Sequence, residues 1–481
     1  MRFQSYLLGF VLLFQGALLY SQNPAKSYLN FAHTSNKADV VDTLNVSAIK
    51  AIGEEWESFT ISEGYEKTRK PNIQYPPTAI QSHTNTSGQI QVTEVIDTLP
   101  AIWNVVSTDS IIREIDTEDP NMRTIQFDFY GVNQIVSIPN ELGGFHPKGI
   151  SETEVSDFWQ ALSRCKYQRI ITDCNKYKVA LGYNDWAVLK WTQCLSKVIY
   201  PDNINSEQEI FTVFLLNQMG LRVRTARADN HLITLFSALQ DIYAKQYIVL
   251  DTYPYYLLEN LKSISNIYTY RIQYSKETRP LDLRIATPFR LWDSGDQFHV
   301  DRYSSVWEKH IKMSISTGLI NFYNDYPQMD AKVYASAALS PDFLNLFAEI
   351  IKAENDDEEV EHLNKLLSFL HLDFKYKVDQ EQFGKEKPFF CEENLIYPYN
   401  DCEDRSILLS SLVRHLLGLK VVLLDYTDHM ALAVHVDSPV KGDYLILDNE
   451  RYYVCDPTYI GATVGMSMPE YKNKPVTVYK L

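Results

Sequence analysis

YPYNDCEDRSILLSSLVRHLLGLKVVLLDYTDHMALAVHV, Tyr397 to Val436, runs on through a short polar break into YLILDNERYYVCDPTY, Tyr444 to Tyr459. Ile407, Leu408, Leu412, Val413, Leu416 and Leu417 recur at helical spacing. Gly418 supplies the stop, because glycine accepts the left-handed backbone that ends many helices. Asp401, Glu403 and Asp404 crowd the first turn, where the helix dipole favours acids. Cys402 is therefore placed at or beside a helix N-terminus. Backbone N–H groups there favour an anion, and the thiolate is the reactive form of cysteine. The adjacent carboxylates oppose that effect, so a reactive Cys402 needs a histidine partner.

HMALAVHV alternates as a strand does. His429, Ala431, Ala433 and His435 share one face; Met430, Leu432, Val434 and Val436 share the other. The small side chains on the histidine face predict room for a helix end and a substrate. YLIL, the turn DNE and YYVCD predict a hairpin, with Asp456 at its end and Pro457 stopping the strand. Cys402 as nucleophile, His429 as base and Asp456 as orienter of the second ring nitrogen form the candidate constellation. His435 reads as a structural histidine and Cys455 as a core residue. The Cys402 N–H is the natural first oxyanion donor. Gln382, Tyr397 and Tyr399 are the upstream side chains open for a second.

A cysteine at a helix start, a histidine on a strand and an aspartate on the next strand, in that order, resemble the transglutaminase-like cysteine hydrolase superfamily, related in mechanism to papain. The residues that carry the resemblance are Asp401-Cys402-Glu403-Asp404, Gly418, Asp428-His429 and Cys455-Asp456-Pro457. DCED ahead of an apolar helix is especially similar to bacterial transglutaminase-like peptidases. The resemblance covers the last quarter of the chain. It implies a Cys-His-Asp triad working through a thioester.

The chain has 481 residues, enough for two to four domains, and is 45% hydrophobic with 32 tyrosines, a composition that folds. Its formal net charge of −16 argues against nucleic acid and anionic membrane surfaces as partners. Residues 1–21 read as a secretory signal peptide, with Arg2 ahead of YLLGFVLLFQGALLY. No later segment is apolar enough to span a membrane, so the expectation is a periplasmic or secreted protein, not an integral membrane one. Six cysteines in a chain of this length do not make a disulfide scaffold. Cys165 and Cys174 are the closest pair and the one candidate bridge weighed. No His/Cys cluster has metal-ligand spacing, and no phosphate-binding or dinucleotide fingerprint occurs, so no cofactor or metal is expected.

Residues 22–148 read as a β-rich accessory region, with strands at QIQVTEVI, AIWNVVS, SIIREI and TIQFDFYGVNQIVSI. Helical periodicity returns in TEVSDFWQALSRC, DWAVLKWTQCLSKVI and SEQEIFTVFLLNQMG. Beyond the last of these helices the chain echoes its own C-terminal stretch. GLRV matches GLKV, and Gly220 precedes His231 by the same interval as Gly418 precedes His429. YIVLD at 247–251 matches YLILD at 444–448, and YYLLE at 255–259 matches YYVCD at 452–456. The pattern reads as an internal duplication. Ile204 stands where the second copy has Cys402, His231 matches His429, and Glu259 matches Asp456. Ile233 and Leu235 replace Ala431 and Ala433, which predicts a filled cleft. Residues 150–300 are then a degenerate domain, structural or substrate-binding, and 301–481 the domain with the triad. DLRIATPFRLW reads as further strand, and PDFLNLFAEIIKA and EEVEHLNKLLSFLHL as helices.

The expectation is an α+β protein with two transglutaminase-like (papain-like) cores, helices packed on antiparallel sheet, plus the N-terminal β-rich region. Its function would be a cysteine peptidase or amidase acting on a peptide or protein substrate. The alternatives are a protein-glutamine acyltransferase, in which an amine takes the thioester, and a non-catalytic peptide- or glycan-binding protein of the envelope. Oligomeric state is not readable from the sequence.

Overall fold

The computed structural model describes residues 49–50, 52–64, 88–97, 119–201, 205–271, 274, 276, 278–291, 296–352 and 358–481. The expected signal peptide and the expected strands AIWNVVS and SIIREI lie outside them. The architecture is mixed α+β, with helices packed on sheets. One six-stranded sheet has the order β1 (Glu57–Thr60), β9 (Asn266–Thr269), β5 (Val223–Ala228), β6 (His231–Phe236), β8 (Tyr253–Leu257), β7 (Tyr247–Leu250). The other has the order β16 (Tyr444–Leu447), β17 (Glu450–Cys455), β15 (His429–His435), β14 (Val421–Tyr426), β18 (Val476–Lys480), β2 (Val92–Asp97). Neighbours are antiparallel except β2, which runs parallel to β18. Three two-stranded pairs complete the set: β3 (Met122–Phe129) with β4 (Val132–Pro139), β10 (Gln297–Ser304) with β11 (Lys309–Ser316), and β12 (Lys375–Tyr376) with β13 (Tyr399–Asn400).

Both large sheets close on themselves. The strand that starts as β1 continues to Ser62, which exchanges backbone hydrogen bonds of 2.8 and 3.0 Å with Tyr247 of β7. The segment leading into β2 does the same in the second sheet. Ile90 N–H donates to the Tyr444 carbonyl (2.7 Å), and Tyr444 N–H donates to the Gly88 carbonyl (3.1 Å). Each segment thus joins the last strand of its sheet to the first, giving a barrel with no open edge. The described strands of 22–148 are accordingly shared out. β1 closes one barrel, β2 the other, and β3–β4 packs on the helix Gln168–Leu181, where Asp173 accepts the Ser137 N–H at 3.0 Å.

The barrel interiors are filled by complementary volumes. In the second, Val422, Leu424 and Tyr426 pair across to Ala433, Ala431 and His429. In the first, the alanines sit on the other strand: Ala226 pairs with Ile233 and Ala228 with His231. Large against small in the alanine pairs keeps a narrow interior at close packing. Ile233 thus offsets Ala226 on β5, while Leu235 pairs with Arg224. The hairpin β16–β17 turns through Asp448 and Asn449, both at positive φ (49° and 65°), the geometry of a tight two-residue hairpin turn.

A helix lies on each barrel, Asn205–Gln218 on β5 and β6, and Cys402–Leu412 on β14 and β15. All residues of the second are buried. It is enclosed by the barrel on one side and by the helices Ala331–Ala335 and Glu359–Leu372 on others, so its polar residues need internal partners. Ser406 Oγ donates to the Met430 carbonyl (3.1 Å) and Ser410 Oγ to the Ile407 carbonyl (2.8 Å). A wider π turn, Val413–Leu417, follows, and Gly418 ends it at φ +68° as expected.

The expected strand DLRIATPFRLW is not one: 282–291 carry no strand. Pro280 and Pro288 remove ladder donors. The segment is pinned instead by single bonds, Leu281 N–H to the Ser237 carbonyl (2.8 Å) and Ala338 N–H to the Ile285 carbonyl (2.8 Å). No helix among the described residues is long and apolar enough to cross a membrane.

Ile90 is 3% exposed inside the second barrel, whereas Ile446 on β16 is 43% exposed. Ile90→Ala should lower the unfolding free energy by about 2–4 kcal/mol in a urea titration, and Ile446→Ala by about 0.5 kcal/mol or less. Equal losses would contradict the closing role of the 88–97 segment.

Candidate active site

Asp401 caps the helix that carries Cys402. Its carboxylate accepts the N–H groups of Glu403 (2.9 Å) and Asp404 (3.2 Å), and Asp404 returns the bond to the Asp401 N–H (3.2 Å). This capping box fixes Cys402 as the first helical residue. His429 opens β15, and Asp456 follows the last residue of β17. His429 Nε2 and Asp456 Oδ2 are 2.8 Å apart, with the side chains 0% and 3% exposed. The other ring nitrogen, Nδ1, is buried and has no hydrogen-bond partner. With Nε2 held by the carboxylate, Nδ1 is the atom left to exchange a proton with a thiol.

Cys402 itself is 4% exposed. Two contacts tie the surroundings of Cys402 to those of His429. The Ser406 hydroxyl, one turn along the helix, bonds the carbonyl of Met430, next to His429. The Tyr471 ring lies 4.7 Å from the His429 ring, and its hydroxyl feels the charge of Cys402. The site is closed: cysteine, histidine and aspartate are all buried. The expected room beside Ala431 and Ala433 is absent. Those alanines face the barrel interior, which Tyr426, Tyr452, Tyr459 and Tyr471 fill. The helix lies against the opposite face of β15.

Asp456 is held from every side. Its Oδ1 accepts the N–H groups of Thr458 (2.9 Å) and Tyr459 (3.2 Å). Its carbonyl is 3.0 Å from His371 Nε2, while Gly461 N–H donates to His371 Nδ1 (3.3 Å). An accepting Nδ1 puts the ring proton on Nε2, so His371 donates to the Asp456 carbonyl. Burial lowers the His371 pKa and favours this neutral form. Arg405, 1% exposed, links the helix to the same loop. It donates to Asn400 Oδ1 (3.0 Å), the Phe374 carbonyl (2.8 Å) and the Pro457 carbonyl (3.3 Å). Burial brings its pKa down to about 10, which leaves it charged at neutral pH.

Sequence reasoning missed both residues. An arginine three positions after the nucleophile in an apolar helix was the one visible signal. Nothing in the sequence connects His371 with Asp456. His435 is at the far end of β15, with Nδ1 at 2.9 Å from the Arg451 carbonyl, a structural contact. Of the upstream oxyanion candidates, Gln382 donates to the Tyr399 carbonyl (3.3 Å), and the Tyr397 hydroxyl bonds Asn324 at the surface (3.0 Å).

In the first barrel, His231 begins β6 and is half-buried, Glu259 is exposed, and no hydrogen bond between them is found among the described residues. Ile204 lies outside the described residues. None of the six cysteines is in a disulfide, and the candidate Cys165–Cys174 bridge is not formed. Burial pushes the Cys391 thiol up to about 12 and raises Cys455 as well. Cys194 is half-buried and lines a surface cleft of about 480 Å³ with Lys190 and Asp325; none of the three candidate catalytic residues lines it. No group of three or more metal-ligating side chains is clustered among the described residues. Comparisons with protein-family models, curated proteins and solved structures find no match to this chain.

Several acids surround the helix start. Burial, reinforced by Asp401, raises Asp379 to about 9. Burial raises Asp404 well above the carboxylate range too. These groups are neutral in the folded protein, which relieves the repulsion expected beside a Cys402 thiolate. An unfolded aspartate titrates near ~3.9. Between that value and about 9 the folded chain holds a proton on Asp379 that the unfolded chain has lost. Stability therefore falls as pH rises through this window. Asp379→Asn keeps the acceptor for the Lys387 N–H and removes the titration. Its melting temperature should exceed wild type by roughly 2–4 °C at pH 9, with no gain near pH 4. A pH-independent difference would refute the assignment.

Proposed function

We propose that the protein is an exported cysteine hydrolase of transglutaminase-like type, cleaving an amide bond through a thioester on Cys402. The observation that carries the reading is the buried 2.8 Å contact between His429 Nε2 and Asp456, which leaves Nδ1 as the proton-exchanging atom. In this mechanism Nδ1 takes the Cys402 proton and the thiolate attacks the acyl carbon. The tetrahedral intermediate then collapses, the C–N bond breaks, and His429 returns the proton to the leaving amine. Water, deprotonated by the same nitrogen, releases the acid and restores the thiol. An amine in place of water would make the outcome transamidation. Asp456, braced by His371 and the two N–H groups at Thr458 and Tyr459, keeps the imidazole in register.

In this reading the two barrels are copies of one core, the first without a nucleophile. Their strands follow one another in corresponding order, and the hairpins share a register: Tyr247 pairs with Tyr256 as Tyr444 pairs with Tyr453. Closure also falls on the matching residues Tyr247 and Tyr444. A second reading, a non-catalytic peptide- or glycan-binding protein of the envelope, is favoured by the closed state of the site, since Cys402 and His429 are 4% and 1% exposed.

The rate of Cys402 alkylation by iodoacetamide against pH, mapped by mass spectrometry, separates the two. Wild type should react with an apparent pKa below about 7, and His429→Ala should return it toward the ~8.5 of an ordinary thiol. Identical profiles in the two proteins would sink the enzymatic reading and leave the binding one.

A further inference from the structure

Attack of a thiolate on an acyl carbon puts negative charge on the carbonyl oxygen, and that charge needs donors already in place. The Cys402 N–H offers one at most. The strand β12 brings a second group to the same end of the helix. Tyr376 pairs with Asn400 in the parallel β12–β13 ladder, and Asn400 is two residues ahead of Cys402. The Tyr376 ring packs on the barrel cluster that includes Tyr426 and Tyr471, and the Arg405 guanidinium is 5.5 Å from its centre. Ring and backbone are thus fixed. The hydroxyl, by contrast, is buried and has no hydrogen-bond partner. The ring is half-buried, so a hydroxyl that is itself buried and bonds nothing calls for an explanation. After burial itself, the charge that acts on it most strongly is that of Cys402, and both effects hold its proton in place far above neutral pH.

We propose, on the footing that Cys402, His429 and Asp456 act as read above, that the Tyr376 hydroxyl is the side-chain donor of the oxyanion hole. As the S–C bond forms, the carbonyl π pair moves to oxygen, and Tyr376 O–H donates a hydrogen bond to it without giving up its proton. On collapse the pair returns, the C–N bond breaks, and the leaving amine takes its proton from His429. The other side chains near the thiol are less fit for the role. Gln382 and Tyr397 are committed to Tyr399 and Asn324. The Tyr471 hydroxyl is also buried and unbonded, but its ring packs on the His429 imidazole (4.7 Å between ring centres), which places it with the base. Tyr376 is tied through its ladder partner Asn400 to the helix start itself, and the Arg405 cation against its ring offsets the field of Asp401 and Asp404.

Two reactions of the same thiol test this on the full chain. Acylation of Cys402 by p-nitrophenyl acetate passes through an oxyanion. Alkylation by iodoacetamide is a direct displacement at a saturated carbon and makes none. Tyr376→Phe should slow acylation about 10²-fold and leave the alkylation rate and its pH profile within about twofold. Parallel loss of both rates would show that Tyr376 acts on the thiol or the fold, and loss of neither would show that it does nothing; either overturns the proposal. So would a wild-type Cys402 that alkylates readily but is not acylated. Should Tyr376→Phe not fold, 3-fluorotyrosine placed at 376 keeps the shape and changes only the donor strength. An acylation rate unmoved by fluorination then refutes the role. Failure of the underlying cysteine–histidine reading looks different: alkylation in the Tyr376-intact protein would be indifferent to His429→Ala.

Discussion

A carboxylate shut away from water must be fully bonded or give up its charge. The Asp456 carboxylate meets that demand with three bonds, and the second half of the chain is arranged around this residue. One oxygen takes His429, the other takes two N–H groups of the turn that comes next, and the backbone carbonyl takes His371. The imidazole is thereby fixed by a group that is itself fixed. The turn after Asp456 carries Tyr459, and the chain beyond it carries Tyr471; both rings fill the barrel under His429. Arg405 reaches the same turn from the helix of Cys402. Helix, strand and loop therefore share one polar junction, and none of the three can shift without breaking bonds held by the other two.

The surroundings of Cys402 show how a fold tolerates charge at low dielectric. A helix start concentrates partial positive charge, and the sequence answers with acids. Burial raises Asp404 and the neighbouring Asp379 toward their neutral forms, and Arg405 keeps its charge close to Asp401 and Tyr376. The site is tuned less by formal charges than by which of them burial extinguishes.

Much of this was legible in the sequence because it is local. The acids at the helix start, the helix from Cys402, the alternation of His429–His435 and the hairpin ended by Asp456 all derive from residues a few positions apart. The illegible features depend on distant partners. His371 meets Asp456 and Gly461 across a long loop, and no periodicity announces it. Ala431 and Ala433 suggested an open cleft, but their small size answers Leu424 and Val422 on the neighbouring strand. The DLRIATPFRLW run has strand-forming side chains, yet its prolines deny it a ladder. The burial of the whole helix from Cys402 was illegible for the same reason: Ser406 and Arg405 are satisfied by residues that the sequence keeps far away.

The strand that seals the second barrel stands far ahead in the chain of the strands it joins, and it runs parallel to them where its counterpart in the first barrel runs antiparallel. Polarity is thus not what this seam selects; burial of Ile90 and Val92 is. Residues 88–97 are made long before β18, so the seam cannot form until β18 has been synthesised. The spacing adds little to the equilibrium cost, because loop entropy grows only slowly with length. Its effect is on timing. Until the seam forms, the tyrosines packed against His429 have no completed wall behind them. The packing around the histidine is therefore a late product of folding, assembled only after the earliest described strands and the last have found each other.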